Sequence, residues 1–386
     1  MLKKIIRKLF VASFLLVVVA FLAASLSPFL NPAQWWFFGF LGLIFPYILT
    51  LLLLFGLYWV IKRSRWALLV VLCIAVSWKS IRAAFALNLR HDFEMQKAPG
   101  ALRVMTWNVR YFISPDEKII RSGISEDHQK IFDLIGTYNP DILTMQEFIT
   151  ADSGLYANNV KIIETELGFK YHFFLPMGDK SAARRKRPER RGIIIFSKYP
   201  IVHREEVDLP LGLGTTEAVI FADIAVNQDT IRVFAGHMQS FGFMRQDYEN
   251  IHKIKTDADE RLDASKSVAR KMRRAFQYRG KQADRILEVM EDSKYPEIFC
   301  ADLNDVPNSY TYFTIKGNKK DAFIEKGWGF GKTYYSFHSG FMRRLPALRI
   351  DFILADPQFT ILQAKPVKQI LSDHIPVVTD ISLGTD

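Results

Sequence analysis

The 386-residue sequence has only two cysteines, and its first 90 residues contain neither aspartate nor glutamate. So few cysteines exclude a disulfide-rich scaffold, and a hydrophobic share of 49% excludes a disordered or collagenous chain. Residues 1–90 hold ten Lys and Arg, which leaves 41 basic and 40 acidic residues in the remainder. The net charge of +11 therefore belongs to the N-terminal segment and is no argument for a nucleic-acid partner of the rest. Cys73 lies in an apolar run and Cys300 in a predicted strand, so no disulfide is predicted and the compartment cannot be read from them.

A long uncharged stretch separates Lys8 from Lys62 and predicts membrane-spanning helices. A spanning helix needs roughly 20 apolar residues, so the stretch has room for two. We expect them over about residues 9–27 and 35–61. A third apolar segment, 66–89, is long enough only when its more polar end is included, and we expect it to cross as well.

The distribution of basic residues predicts the orientation of these spans. Lys and Arg precede the first span and follow the second, so the positive-inside rule holds both of those ends in the cytoplasm. Three spans place the remainder of the chain outside the cytoplasm, whereas two leave it inside. We expect a multi-pass integral membrane protein with a transmembrane region of two or three helices over 1–90, a polar linker over 91–100, and a domain over 101–386 that lies outside the cytoplasm.

After the linker, short apolar runs alternate with helical stretches, a pattern typical of an α/β domain. Helices are predicted over 126–138, 158–167 and within 247–291. The predicted strands are 102–107, 142–146, 193–197, 219–226, 230–237, 297–301, 349–354 and 377–381. No internal repeat or low-complexity tract is present, and about 290 residues are acceptable for a single two-sheet domain.

Polar side chains occur at the ends of several of these strands. A solvated strand end is the ordinary explanation for any one of them, but together they form a set of oxygen and imidazole groups. Asp302 and Asn304 are two residues apart, so their side chains leave the chain on the same side. The full set is Asn108, Glu147, His237, Asp302, Asn304, Asp351, Asp373 and His374.

The composition of this set excludes some chemistries and favours another. The chain has no G-x-S-x-G nucleophile elbow, no Gly-rich phosphate loop and no Cys cluster for zinc. Carboxylate and amide oxygens favour Mg²⁺, with Mn²⁺ as a substitute. With two histidines added, the set suits attack of water on phosphorus. A cation neutralises phosphate charge, a carboxylate accepts the proton of water, and imidazoles donate to the developing charge.

Six segments, in this order, resemble motifs of the endonuclease/exonuclease/phosphatase superfamily: TWNVRYF, DILTMQE, GHMQS, CADLNDVP, RIDFIL and SDHIPV. No one of them is specific, but the ordered set is. The resemblance covers about residues 101–384. It implies an α/β fold with four layers, an α/β/β/α sandwich of two mixed sheets, and one divalent metal at the mouths of the sheets.

The resemblance also implies a role for each polar residue of the set. Asp302 resembles the general base that aligns water, held by Asn304. His237 and His374 resemble the phosphate-contacting pair, with Asp351 orienting His374. The implied metal ligands are Asn108, Glu147 and Asp373.

Two features depart from the better-known nuclease members of this family. Glu217 precedes the strand before His237, where many members have Arg or Asn near the phosphate. It is either a partner of His237 or a surface residue. Two basic runs, 180–191 and 265–281, are either solvated faces or contacts for an anionic substrate. The first run contributes three candidate substrate-binding residues, Arg184, Arg185 and Arg187.

The expected function is that of a membrane-anchored, Mg²⁺-dependent phosphoesterase. Nuclease-type phosphodiester cleavage is the first expectation, a phospholipid or inositol phosphate phosphoesterase is the alternative, and a membrane module that binds a ligand without catalysis is a third. Aromatic residues near basic ones favour single-stranded nucleic acid weakly through stacking, namely Phe241, Phe243, Phe276 and Tyr278. The expected partners are the lipid bilayer and a phosphoester substrate, and the sequence indicates no protein partner.

Overall fold

The computed structural model of the chain describes residues 1–88, 92–113, 126–152, 157–177, 189–210, 217–243, 247, 261–336 and 344–384. Its helices are α1 (Leu2–Ser25), α2 (Phe37–Ile61), α3 (Trp66–Val76), α4 (Trp78–Ala84), α5 (Glu126–Tyr138), α6 (Asn159–Leu167), α7 (Arg261–Glu291), α8 (Tyr310–Lys316) and α9 (Ala322–Lys326). Its strands are β1 (Ala86–Leu87), β2 (Leu102–Asn108), β3 (Ile142–Ala151), β4 (Tyr171–Met177), β5 (Glu189–Ser197), β6 (Ile201–Val207), β7 (Ala218–Val226), β8 (Asp229–His237), β9 (Glu297–Asp302), β10 (Lys320–Asp321), β11 (Trp328–Gly329), β12 (Asp351–Ala355), β13 (Phe359–Pro366) and β14 (Val377–Leu383).

The larger strands form two six-stranded sheets. The first has the order β13-β14-β2-β3-β5-β4 and the second the order β10-β12-β9-β8-β7-β6. In each sheet one central pair is parallel, β2 with β3 and β8 with β9, and the remaining pairs are antiparallel. Both sheets are therefore mixed, and the carboxyl ends of the two parallel pairs open on one edge of each sheet.

Apolar side chains at alternate positions of the strands fill the space between the two sheets. Val104 and Ile195 of the first sheet belong to the same buried cluster as Ile220 and Ile298 of the second. The outer face of the first sheet packs on α5 and α6, whereas the outer face of the second packs on α7 and α8. This order of layers confirms the predicted α/β/β/α sandwich.

The N-terminal segment forms two long apolar helices that pack against each other in opposite directions. Phe14 of α1 lies 5.6 Å from Trp59 of α2, and Phe21 lies 5.4 Å from Phe45, measured between ring centroids. The apolar lengths Leu2–Phe29 and Phe37–Ile61 are each sufficient to cross a membrane.

The third segment differs from the single helix predicted over 66–89. The chain forms α3 and α4 instead, and their axes differ by 69°, so this pair could cross a membrane only as one broken span. The break falls at Ser77, where the uninterrupted apolar run gives way to a sequence that contains Lys79 and Arg82. Serine competes for backbone hydrogen bonds and the charged residues end the apolar surface, which together explain the break.

The sandwich packs on the turn between α1 and α2. The Asn31 side chain donates to Asp284 of α7 at 2.7 Å, and the Asn308 side chain donates to the backbone oxygen of Ala24 at 2.9 Å. Gly42 of α2 allows this close approach, because a Cβ at that position would meet the Asn308 backbone oxygen at 2.5 Å. The apolar helices are therefore fixed against the sandwich at one end.

Candidate active site

The strand register aligns three of the predicted site residues across the second sheet. His237 ends β8 directly opposite Asp302, which ends β9, and Asp302 is in turn opposite Asp351 at the start of β12. Residues opposite each other on neighbouring strands project to the same face of a sheet, about 4.8 Å apart. The register alone thus brings an imidazole and two carboxylates side by side at the strand mouths.

The first sheet contributes Asn108 and Glu147 at the ends of its parallel pair. Glu147 has a positive φ of 48°, and the register of β3 against β5 shifts between Met145 and Phe148. This bulge interrupts the strand at the carboxylate. The Asn108 amide donates to Glu147 Oε1 at 3.3 Å and to Asp302 Oδ2 at 3.0 Å, so it bridges the two sheets.

Asp302 is almost fully buried and is held from several sides. Its Oδ1 accepts the backbone N–H of Asn304 at 2.8 Å, whereas the Asn304 side chain donates to the backbone oxygen of Met238 at 3.0 Å. Asn304 adopts a positive φ of 50° to make both bonds. The contact between Asp302 and Asn304 predicted from the sequence is present, but it uses the backbone of Asn304 and not its amide side chain.

Two imidazoles face Asp302. Nε2 of His237 lies 3.7 Å from Asp302 Oδ2 and 3.7 Å from Glu147 Oε1, and Nε2 of His374 lies 3.7 Å from Asp302 Oδ2. Nδ1 of His374 lies 2.9 Å from Asp351 Oδ2. Burial acts to lower the pKa of His374, but the carboxylates of Asp351 and Asp302 outweigh it and raise that pKa well above its ordinary value. These carboxylates therefore favour the protonated form of His374.

Asp373 lies beside this group next to a cation that the sequence reasoning did not single out. Arg110 Nε lies 3.6 Å from Asp373 Oδ2, and the Ser372 hydroxyl donates to Asp373 Oδ1 at 3.3 Å. Arg110 follows Asn108 within the motif TWNVRYF, and its φ of 45° is positive. Its place in that motif is the signal that could have identified it.

Two groups of these side chains, with no residue in common, could hold a cation. Asp302, Asp351 and His374 offer ligand atoms that all lie within 4.8 Å of one another. In that group Asp351 already forms a hydrogen bond with the His374 ring. This bond suits the Asp351–His374 pair to proton transfer. The oxygens of the predicted ligands form the second group, Asn108, Glu147 and Asp373.

Burial raises the pKa of a carboxylate in each group, Asp351 in the first and Glu147 in the second. Although 24% of its side-chain surface remains exposed, burial raises the pKa of Glu147, and nearby Asp373 raises it further, while His237 and His374 oppose the shift. A bound divalent cation would relieve the repulsion between such crowded carboxylates and favour their charged forms.

Glu217 and Tyr111 lie at the margin of the site. Glu217 accepts a hydrogen bond from the Gln239 side chain at 3.0 Å and is partly exposed. Burial raises the pKa of the Tyr111 hydroxyl, with Glu147 and Glu217 adding to the shift, so these three groups lie near one another. Arg191, the end of the first basic run, stacks on the Tyr111 ring at 4.8 Å. The candidate substrate-binding residues Arg184, Arg185 and Arg187 lie outside the described residues.

The second basic run, 265–281, lies on α7, where several of its cations are engaged inside the protein. Arg279 is fully buried and its Nε lies 3.0 Å from Asp305 Oδ2. Lys271 pairs with Asp247 at 2.6 Å. Arg273 lies over the Trp36 ring at 4.8 Å. These cations stabilise the fold and the contact with the apolar helices, so the run is not a uniform face for a polyanion.

Comparisons with known proteins agree with this geometry. A family model described as the endonuclease/exonuclease/phosphatase family matches residues 105–374, and one described as a domain of unknown function matches residues 7–84. A search of curated proteins finds no match. Among solved structures, an endonuclease/exonuclease/phosphatase from Beutenbergia cavernae DSM 12333 is 19% identical with a TM-score of 0.52, and the match covers 74% of this chain and 72% of that one.

Two further structures match at low identity. A functionally unknown conserved protein from Enterococcus faecalis V583 is 13% identical with a TM-score of 0.50, and the match covers 73% of this chain and 100% of that one. The human Nocturnin catalytic domain is 16% identical with a TM-score of 0.48, over 75% of this chain and 97% of that one. The family match spans more than half of the chain and includes the strands that converge on the site. The chain therefore belongs to the endonuclease/exonuclease/phosphatase family and is a hydrolase of phosphoester bonds.

Proposed function

We propose that the chain is a membrane-anchored, Mg²⁺-dependent phosphodiesterase in which water attacks phosphorus. The observation that carries this proposal is the position of Asp302 Oδ2, which lies 3.0 Å from the Asn108 amide and 3.7 Å from Nε2 of both His237 and His374. One buried carboxylate thus faces donors from both sheets at the mouth where a phosphate would enter. Such an arrangement suits proton transfer beside an anionic transition state.

The donor set fits a magnesium ion. Asn108, Glu147 and Asp373 would hold it through oxygen atoms, which Mg²⁺ prefers, and the raised pKa of Glu147 marks a carboxylate that a cation would stabilise. When bound, the ion supplies positive charge against the phosphate oxygens. The site offers two carboxylates and an amide, a number that leaves room for water and substrate oxygens.

The protein's own groups then divide the proton transfers between them. Asp302 accepts a proton from the attacking water, whose oxygen forms the new bond to phosphorus. The bond from phosphorus to one alcohol oxygen breaks, and that oxygen takes a proton from an imidazole. His374, held by Asp351 and favoured in its protonated form by the nearby carboxylates, donates hydrogen bonds to the phosphate oxygens together with His237.

The packing of the apolar helices supports the predicted membrane topology. The first basic residues, such as Lys3, stand at the start of α1, whereas Asn31 just beyond its other end contacts Asp284 of the sandwich. The sandwich and the basic N-terminus therefore lie at opposite ends of α1. With the N-terminus in the cytoplasm, the sandwich lies outside, and α3 with α4 forms the return crossing.

Fusion of alkaline phosphatase after Asp386 tests the topology. This reporter folds only when exported, so we expect it to be active. Activity of a cytoplasm-only reporter at the same position, with an inactive phosphatase, would contradict the topology and leave the catalytic proposal standing.

Hydrolysis of bis(p-nitrophenyl) phosphate by the full chain in detergent tests the catalytic proposal. We expect turnover with Mg²⁺, none with excess chelator, and a loss of roughly 100-fold or more in kcat for Asp302→Asn. Asp229→Asn is the matched control, because Asp229 is exposed at the far end of the strand that carries His237. Equal activity of Asp302→Asn and wild type would overturn the assignment of the base.

A further inference from the structure

The catalytic groups open into a cavity of about 710 Å³ whose opposite wall is an apolar helix of the N-terminal segment. Glu147, His237 and Asp302 line one end of this cavity. Ile44 and Tyr47 of α2 line the other end, and both side chains are partly exposed. Cavities of this size hold ligands as large as a drug molecule. The site is thus continuous with the surface of a helix that is long and apolar enough to span a membrane.

The walls between these two ends are also apolar. Phe241 and Phe243 stack on each other with ring centroids 5.3 Å apart, and Val268 and Met272 of α7 complete the lining beside them. Of the lining residues that the structure describes, Arg110 alone is a lysine or arginine. The described part of the lining therefore has a polar end at the catalytic groups and an apolar remainder.

The position of the apolar end along α2 matches the depth of lipid acyl chains. At about 1.5 Å per residue, Ile44 and Tyr47 lie roughly 10 to 15 Å beyond the start of α2 at Phe37. The head-group layer accounts for only about 5 to 8 Å on each side of the hydrocarbon core. With Trp35 and Trp36 at the interface, the cavity reaches below the head groups on the side of the sandwich.

The same observations disfavour a nucleic-acid chain in this cavity. A polynucleotide needs cations along its backbone, and Arg110 is the one lysine or arginine among the described lining residues. The aromatic residues near the site pack on the apolar helices. Phe276 lies edge-on to Phe40 of α2 at 5.1 Å, and a Cβ at Gly39 would meet the Phe276 ring at 2.6 Å. Phe241 in turn packs edge-on against Phe276 at 5.5 Å. These rings extend the hydrophobic surface of α2 towards the catalytic groups.

We infer that the substrate is a membrane phospholipid that enters sideways along α2 from the leaflet nearest the sandwich. Its phosphodiester lies at Asp302 and His237, and its acyl chains lie against Ile44, Tyr47 and the phenylalanine wall. Water adds to phosphorus, one phosphorus to alcohol-oxygen bond breaks, and the alcohol leaves with a proton. This inference rests on the proposed phosphodiesterase function and adds the substrate class and the path of entry.

A comparison of two substrates tests the inference on the full chain reconstituted with Mg²⁺. The first is phospholipid in vesicles of phosphatidylcholine and phosphatidylglycerol, and the second is water-soluble bis(p-nitrophenyl) phosphate. We expect Ile44→Trp, which fills the apolar end, to lower the ratio of lipid to soluble kcat/KM by roughly tenfold or more. Leu54→Trp is the matched control, because Leu54 is exposed on α2 but does not line the cavity. We expect it to leave that ratio unchanged.

A photoreactive acyl chain gives a second measurement that does not depend on folding of the variants. Wild-type protein in vesicles that contain the photoreactive phospholipid should be labelled at Tyr47 or Phe243. Labelling confined to the remainder of α2 would overturn the path of entry. Hydrolysis of the soluble diester without hydrolysis of vesicle lipid, or with preferential cleavage of DNA or RNA, would overturn the substrate class and leave the phosphodiesterase proposal intact. Hydrolysis of none of these substrates would overturn both.

Discussion

A buried histidine near the active site predicts that acid destabilises the protein in a defined pH window. His128 lies in α5 between two aromatic rings, 4.3 Å from Phe112 and 4.9 Å from Phe132. Burial lowers the pKa of His128 from 6.5 to about 4, and a hydrogen bond with Asn159 opposes the shift only in part. Phe112 ends the short segment that follows Asn108, so loosening of α5 also disturbs the end of β2 that carries Asn108.

The sign and size of the effect follow from proton linkage. Below about pH 6.5 the unfolded chain takes up a proton on His128, whereas the folded chain does not do so until about pH 4. The contribution of neutral His128 to the stability of the folded protein is therefore fully present above about pH 6.5 and is lost as the pH falls towards about 4. Between about pH 7.5 and pH 5 the loss due to this one group is about 2 kcal/mol.

The assay is hydrogen exchange of the α5 amides in the full chain, corrected for the intrinsic effect of pH, which reports the local opening free energy. In His128→Gln the difference between about pH 7.5 and pH 5 should shrink by about 2 kcal/mol relative to wild type. His203→Gln serves as the control, because His203 is mostly exposed on β6 and should leave the difference unchanged. The same pH dependence in wild type and His128→Gln would refute the reasoning.

Two further variants test the proposed metal site and the buried ion pair of Arg279 with Asp305. Glu147→Gln should raise the Mg²⁺ concentration for half-maximal activity by roughly tenfold or more, because it removes a ligand charge; a metal titration with an unchanged midpoint would exclude Glu147 as a ligand. Arg279→Met should lower stability by about 3 to 5 kcal/mol, because it leaves Asp305 buried without its cation. Thermal unfolding measures that loss, Arg285→Met on the exposed side of α7 should change little, and equal melting of both variants would contradict the role of the pair.

The fold was predictable from the sequence where strands are buried on both faces. The eight predicted strands are the interior strands of the two sheets, and the four strands at the sheet edges were not predicted. Edge strands face solvent and carry polar residues. The strand β6 illustrates this, because its sequence IVHREEV gives little hydrophobic alternation. The fold class could therefore be derived from the hydrophobic pattern of the core strands. The edge strands could not, because they are fixed by tertiary contacts that this pattern does not encode.

The candidate site was predictable in composition but not in all of its contacts. Asn108 and Asp302 each end a strand of a parallel pair, one in each sheet. Strand ends alone marked them as candidates, and the ordered family motifs are what grouped them into one site. The positive φ of Glu147 and the backbone contact of Asn304 had no sequence signal. The contribution of α2 to the cavity was equally hidden, because this helix is distant in sequence from every motif and reaches the site through its packing on α7 and on Asn308.

The most direct test of the central claim is the origin of the oxygen added to the product. Wild-type protein with Mg²⁺ should hydrolyse bis(p-nitrophenyl) phosphate in ¹⁸O-labelled water with one labelled oxygen per turnover, found by mass spectrometry in the p-nitrophenyl phosphate. The released p-nitrophenol should contain no label, because water attacks phosphorus and the bond from phosphorus to the alcohol oxygen breaks. Label in the p-nitrophenol, or turnover that persists after complete removal of divalent metal, would contradict the account.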